Sequence, residues 1–423
     1  MPEMRPLNLS RLVTILILFF ASASLVAQSE DPNLRNHAIR VFLDCSRCDV
    51  DYIRREMPFV NYVRDWKEAQ VHILVTRQST GSGGIEYKIN LIGQEEFLGI
   101  DDEVSYVSTP DATSDMVRSG YTRMMAIGLM KYVAKTPLAE YMNFRFDGEG
   151  AGVKEDKLVT DKWNSWVFDI RSTGELEEQE SYSSLEMEND IEAEKVTPEW
   201  KIYFAGSYDG SLRKYRYDEE EYISRRTNYS IRHLLVNSLN DHWSLGGRAG
   251  ISSSTYGNIR FATSLAPAIE YNIFPYSLSN RKQVRFQYRI GYGYNFYQDT
   301  TIYNKLEEGL FSHQLLASAD FRQPWGNINI SGQYSNYLHD WSKNSIRLWA
   351  GLYFRVFKGL SLSISGDAAF IHDQLSLQKE GATPEEVLLR QKQMATNYDY
   401  SLKVGFSYTF GSIYNNIVNS RFN

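Results

Sequence analysis

Two patterns in this chain have residue types and spacing suited to covalent chemistry. Cys45-Ser46-Arg47-Cys48 contains both of its cysteines. The pair falls between a predicted strand at 40–44 and a predicted helix opening at Asp49, where a helix N-terminus lowers the pKa of a nearby thiol. Two features favour a plain bridge over thiol exchange: no Trp precedes Cys45, and Thr109-Pro110 leads into a helix instead of facing the pair. A disulfide tightening the loop is the first reading, a thiol-active site the second and a metal the third. His37 and His72 lack the spacing to complete a zinc site, so neither a metal nor a cofactor is expected. The other pattern, His242-Trp243-Ser244, sets a base and a hydroxyl two residues apart on one face of a strand. Gly81-Ser82-Gly83-Gly84 lacks the Lys-Ser/Thr end of a phosphate-binding loop and joins two strands, so it reads as a hairpin turn.

Charge supplies a second kind of chemistry. The predicted strand at 182–196 turns Glu186, Glu188, Asp190, Glu192 and Glu194 to one face, and the strand before it adds Asp169, Glu175 and Glu177. Later strands contribute Arg226, Arg232, Arg248, Arg260, Arg285, Arg289 and Arg347. If these faces line a lumen, one wall is acidic and much of the remainder basic. Such walls either pair across the interior and plug it, or stand apart around water and select solutes by charge.

The elements that must carry these charges have a period of two. In 398–410 every even residue is large and apolar or aromatic, and every odd one is small or polar. Successive strand side chains point to opposite faces, so the segment has one greasy and one wet side. Its thirteen residues exceed the roughly 9–11 that a tilted strand needs to cross a bilayer. The pattern repeats in about twelve runs, near 163–176, 182–196, 200–215, 222–236, 242–254, 259–272, 283–297, 310–322, 326–338, 345–357, 360–376 and 397–410. An even number fits closure of a transmembrane antiparallel β-barrel, which leaves no unpaired edge in lipid. Seven of the eight Trp lie between Trp163 and Trp349, and Trp200, Trp243 and Trp325 fall at strand ends, as an aromatic girdle requires. Alternate connections are short, at 197–199, 237–240, 323–324 and 357–359, with 273–282 the longer exception; these are expected in the periplasm. The outer set is expected to be longer, as at 298–309 and 377–396, the latter with a short helix at 384–389. His313, on the greasy register, is expected to mark a register shift.

The N-terminus adds an address. Arg5 and Arg11 precede an apolar run at 12–20 and a small-residue stretch ending at Ala27, the order of a secretory signal peptide over 1–27. A small α/β domain is expected over 28–146. It has strands at 40–44, 71–76 and 85–92, shorter ones near 96–98 and 104–108, a bent helix over 49–70, and a helix through Ala134 with Met116, Val117, Met124, Ile127, Gly128 and Tyr132 on one face. A charged, Gly-rich linker at 147–162 leads to the barrel at 163–410, and 411–423 forms a tail. The net charge of −7 and pI near 5.7 exclude nucleic acid as the main partner. The mean hydropathy of −0.41 is compatible with a barrel, whose lumen is polar.

Several stretches resemble known proteins. Lys403, Gly405, Tyr408 and Phe410 are similar to the C-terminal signal read by the outer-membrane barrel-assembly machinery, except that thirteen residues follow. The order strand, helix, strand, hairpin, helix looks like the N-terminal domain of TolB-type periplasmic proteins. The words FVNYVRD at 59–65, TGSGG at 80–84, WNSWVF at 163–168 and SYTFGSIYNNIVN at 407–419 resemble an uncharacterised family of bacterial outer-membrane β-barrel proteins. That likeness implies an architecture and no activity. His242 and Ser244 resemble the His-x-Ser pair of the outer-membrane phospholipases, but they sit beside a predicted periplasmic turn, whereas that family's pair faces the outer leaflet. The chain is therefore expected to be no enzyme. It reads as an outer-membrane barrel in contact with lipid, either a narrow porin-like pore for solutes or an anchor whose periplasmic domain docks an envelope protein.

Overall fold

The computed structural model describes residues 37–81, 83–142, 161–217, 220–381, 392–416, 418 and 421. The expected signal peptide, most of the expected linker and the expected helix at 384–389 lie outside them. Two sheets form. The first has five strands, β1 (Arg40–Asp44), β2 (Asn61–Tyr62), β3 (Val71–Ser79), β4 (Ile85–Gly93) and β5 (Asp102–Val107), in the order β2-β1-β3-β4-β5. β1 runs parallel to β2 and β3, while β3-β4-β5 is an antiparallel meander turned at the Gly81 loop, where Gly83 has φ +81°.

Helices α1 (Val50–Glu56) and α2 (Ser114–Val133) accompany this sheet. Asp49 caps α1 through the Tyr52 N–H, and Thr113 caps α2 through that of Met116. The helix expected over 49–70 is only seven residues long, about two turns, plus a short 3-10 turn at Trp66–Glu68. Pro58 disfavours helical backbone at Met57, and the freed Asn61 and Tyr62 pair with β1 instead. The short strand expected near 96–98 is a 3-10 turn, Glu95–Phe97. The buried face of α2 keeps Gly128 and Tyr132 from the expected one, with Val117 and Met124 at its margin, but is centred elsewhere. Tyr121, Met125, Leu129, Tyr132 and Val133 enter the core, whereas Met116 and Ile127 are more than half exposed. Their i, i+4, i+8 spacing packs them on Tyr87, Ile89 and Leu91, and the Tyr132 hydroxyl ties the Leu91 and Ile100 carbonyls.

The second sheet has the expected twelve strands, all antiparallel and in sequence order. They are β6 (Trp166–Glu178), β7 (Tyr182–Val196), β8 (Trp200–Tyr217), β9 (Glu220–Ser238), β10 (Trp243–Ser254), β11 (Ile259–Asn272), β12 (Lys282–Tyr297), β13 (Glu307–Gln323), β14 (Gly326–Tyr337), β15 (Asp340–Phe357), β16 (Leu360–Ile371) and β17 (Tyr398–Tyr408). The connections at the far end are not uniformly long. Two to four residues separate β6 from β7, β8 from β9, β10 from β11 and β14 from β15, and at this end only the connections after β12 and β16 are longer. These two knit together: Thr301 bridges Gln378, and the Asn258 amide reaches the Asp299 and Ser376 carbonyls.

The sheet is open in this structure, since β6 and β17 each pair on one side only. Every pairing that forms joins neighbours in sequence. The missing one would join strands more than two hundred residues apart, the contact with the largest closure entropy. No register shift interrupts β12–β13, so His313 stays on the greasy face, among the rings of Tyr288, Tyr334 and Trp341. The expected shift is absent because this aromatic nest shelters the imidazole.

Leu129→Ala is expected to lower the opening free energy of α2 amides in hydrogen exchange by about 3 kcal/mol, through the cavity left under the helix. Ile127→Ala should change it by less than about 0.5 kcal/mol.

Candidate functional site

Cross-strand register decides which charges share a face. The pairs Glu192↔Asp169 and Glu186↔Glu175 join β7 to β6, and Ser211↔Arg226, Gly250↔Arg232, Ala266↔Arg248, Asn272↔Arg285, Ala268↔Arg289 and Gln333↔Arg347 carry the same face onward. Asp169, Glu186, Glu188, Asp190, Glu192, Glu194, Arg226, Arg232, Arg248, Arg285, Arg289 and Arg347 therefore stand on one side of the sheet. Arg260 does not join them. It lies in the β11 bulge between Ile259 and Phe261, and its guanidinium covers the Phe296 ring 5.9 Å away.

The acidic wall is partly neutralised from the next strand. Arg213 pairs with Glu186, Lys201 with Glu194 at 3.0 Å, and the Tyr203 hydroxyl donates to Glu192 at 2.9 Å. Further along, Arg285 stands 3.8 Å from Glu270, to which Gln287 also donates. Arg213, Tyr203 and Glu270 were not singled out from the sequence, although strand parity alone assigns them to this face. A cavity of about 590 Å³ lies on the same face, lined by Tyr203, Arg232, Arg248, Ser264, Arg289, Ser312 and Tyr337 among others. Seven consecutive strands, β8 to β14, supply those side chains, so the polar face is concave there.

The opposite face is apolar and open. Tyr400 and Leu402 are each 71 % exposed and Phe406 is 78 %. Trp200 and Trp243 begin their strands on this face at the same end of the sheet as Trp325. A wider, shallow depression of about 980 Å³ runs over Ala317, Gly332, Ala350 and Ala368, and none of the wet-face charges named above borders it.

The polar residues with the most built surroundings lie elsewhere, where the five-stranded sheet meets the strand ends of the larger one. Arg355, the last wet-face residue before the β15–β16 turn, forks onto both carboxylate oxygens of Asp44 at 2.8 and 2.9 Å. It also donates to the Pro324 carbonyl and lies 5.2 Å from the Phe42 ring centroid. His72, fully buried on β3, approaches the same carboxylate at 3.2 Å and meets Phe42 edge-on. Burial disfavours the Asp44 charge, but the hydrogen bonds from His72 and Arg355 outweigh it and hold the carboxyl below its ordinary value. Burial pushes the His72 imidazole down against the pull of Asp44, with Arg355 and Arg281 adding to the shift, so the ring is neutral at pH 7.

Around this latch the contact is broad. Lys358 pairs with Glu68, the Gly359 N–H donates to Asp65 at 2.6 Å, Asn280 reaches Thr76, and Arg281 reaches Asn90. Gly359 has φ +74°, and a Cβ there would stand 2.1 Å from the Thr409 carbonyl, so only glycine turns this corner. The tail adds an outer rung to β2: Tyr414 bridges Val63, Asn415 N–H donates to Tyr62, and Tyr62 N–H donates to the Asn416 side chain. Nothing in the sequence announced Asp44, Arg355 or the tail as a contact, because each is a single polar residue or a short irregular segment whose partner is some three hundred residues away.

Cys45 and Cys48 are bonded to each other, and Cys48 packs on the core of the small domain. The bridge borders a crevice shared with Arg77, Arg322 and Asn327. His242 and Ser244 do not form a nucleophile–base pair. The His242 Nδ1 atom lies 2.8 Å from the Asn272 carbonyl, and the Ser244 hydroxyl donates to Tyr276, whose own hydroxyl donates to Glu270. Among the described residues no group of three or more His, Cys, Asp or Glu side chains is arranged to hold a metal ion. Lys403 and Gly405 lie on the wet register of β17 and Tyr408 on the greasy one, with Phe410 stacked on Tyr408 just beyond the strand.

Asp44→Asn is expected to weaken docking of the small domain by about 3 kcal/mol, since it strips a largely buried guanidinium of its counter-charge. Crosslinking across the Asn280–Thr76 contact reads this. The same crosslink should fade as pH falls. Unfolded His72 takes up a proton near pH 6.5 while the docked ring resists it, so stability is lost below that value. More is lost below about pH 4 as Asp44 protonates. Comparison with protein-family models finds no match to this chain, and comparison with curated protein sequences finds none.

Proposed function

We propose that the chain is a bacterial outer-membrane β-barrel of twelve strands, which binds or passes small solutes in a narrow charged lumen and whose periplasmic mouth is capped by its own α/β domain. The observation that carries this reading is the sorting of faces. One side of all twelve strands is apolar and uncovered, and the other is concave and charged. In water such an apolar surface is a large liability; in lipid it is the required exterior.

Closure follows from the same physics. Edge N–H and C=O groups left unpaired in hydrocarbon cost several kcal/mol each, so β6 and β17 pair with each other. Twelve alternating strands leave the first and last antiparallel, and both turn rings to the same side: Trp166 and Phe168 on β6, Tyr398 to Tyr408 on β17. The lower ends of both edges also approach one domain. Val167 abuts the Gly83 turn, and the tail after β17 pairs with β2. The Trp residues at the strand starts suit a girdle on the periplasmic side. Lys403, Gly405, Tyr408 and Phe410 suit recognition by the assembly machinery.

A second role has its own support. β5 is a free sheet edge, and Met116 and Ile127 expose apolar surface on α2, which packs on the sheet face opposite the one where Thr76 and Asn90 meet the larger sheet. That surface fits an envelope protein adding to the edge.

In planar bilayers the intact protein is expected to conduct weakly, and Asp44→Asn or deletion of 28–146 to raise the conductance at least several-fold. Ion-tight behaviour of all three removes the pore and leaves the anchor. Recovery of the chain from the periplasm without detergent removes the membrane location altogether.

A further inference from the structure

We infer that the three arginines of the concave face, Arg232, Arg248 and Arg289, form a binding site for a small oxyanion carrying at least two negative charges. The inference rests on the solute-binding reading above and names the class of solute.

The three lie on β9, β10 and β12 and line one cavity of about 590 Å³. Among the described residues lining it there is no carboxylate. Arg232 and Arg248 make no ion pair or side-chain hydrogen bond to any described residue, and Arg289 bonds only the neutral amide of Gln314. Three of the carboxylates on the acidic side are engaged within that side, Glu186 by Arg213, Glu194 by Lys201 and Glu192 by Tyr203. The next cluster toward the small domain is paired, with Arg285 beside Glu270. Three formal positive charges thus face one hollow, and no carboxylate among the described residues lines it.

The hollow is also built to stay open. Most wet-face positions among the arginines are small, namely Gly250, Ser252, Ala262, Ser264, Ala266, Gly291, Gly293 and Ser312, with Leu234 beside Arg248 and Leu310 beside Gly293 the larger ones. Gly250 pairs directly with Arg232, and Gly293 with Ser264. Larger side chains there would fill the space; these leave it free and add hydroxyl donors. Guanidinium forks match phosphate and carboxylate oxygens two at a time, and serine hydroxyls complete the shell of such a group. Unpaired arginines at mid-strand, surrounded by lipid, are costly and mark a solute path or site.

Full-length protein in detergent micelles is titrated with pyrophosphate, citrate and glucose by calorimetry at low salt. Saturable binding of pyrophosphate or citrate is expected, with none for glucose; whichever binds more tightly identifies phosphate or carboxylate as the preferred group. Arg248→Gln and, on a separate strand, Arg232→Gln should each weaken binding at least tenfold. Arg347→Gln, on the same face outside the cavity, should change it less than twofold. Heat-modifiable gel mobility shows that each variant is folded. The site is overturned if folded wild-type protein binds neither anion, or if Arg347→Gln weakens binding as much as the cavity variants. Membrane fractionation is scored separately, so a protein found in the outer membrane that binds neither anion loses this site and keeps its location.

Discussion

The structure depends on one constraint, the register of eleven antiparallel pairings, unbroken through the middle of the sheet. A slip of one residue at any of them would send a strand's rings to the wet side and its charges to the greasy side. The irregularities keep to the strand ends: Ser252/Ser254, Ile259/Phe261, Asn336/Tyr337 and Arg355/Phe357. There a bulge re-aims a residue without disturbing the middle of the sheet. Arg260 is turned over Phe296 by one bulge, and another immediately follows Arg355, the residue that holds the small domain.

Register places charges on a face, but their consequences depend on neighbours. The acidic side of the wet face is the quieter one, since Arg213, Lys201 and Tyr203 on β8 each answer a carboxylate on β7. The arginines beyond it have neutral neighbours, most of them small. Equal numbers of opposite charges spread around a cylinder would give a plugged interior; here the pairing is local and uneven, and it leaves a positive hollow.

The Asp44–Arg355 contact links this sheet to the other half of the molecule. A bidentate pair that is mostly buried, stacked on Phe42 and backed by a neutral His72, is a rigid joint with little net stabilisation and high geometric specificity. Its neighbours are hydrogen bonds from turn residues, so the small domain is seated on the strand ends by many weak contacts around one that fixes the geometry. The tail after β17 returns to β2, and the two ends of the described chain are thereby held at one site. A lumen with its mouth covered and an anchor presenting a domain share this geometry.

What the sequence determined by itself was everything that follows from short-range period. Twelve strands, their alternation, most of their bounds and the face of nearly every charge come from parity, because the side-chain direction on a strand is set by the residue's own position. Where the period was weak, the reading failed: 49–70 is mostly irregular after Pro58, the α2 face is centred elsewhere, and 95–97 turns instead of pairing. What only the tertiary structure decided was whatever joins residues remote in sequence. The Asp44–Arg355–His72 joint, the tail on β2 and the arginine cavity all depend on which strand ends and faces the fold brings within a few ångströms, and no local pattern of residue types encodes such a meeting.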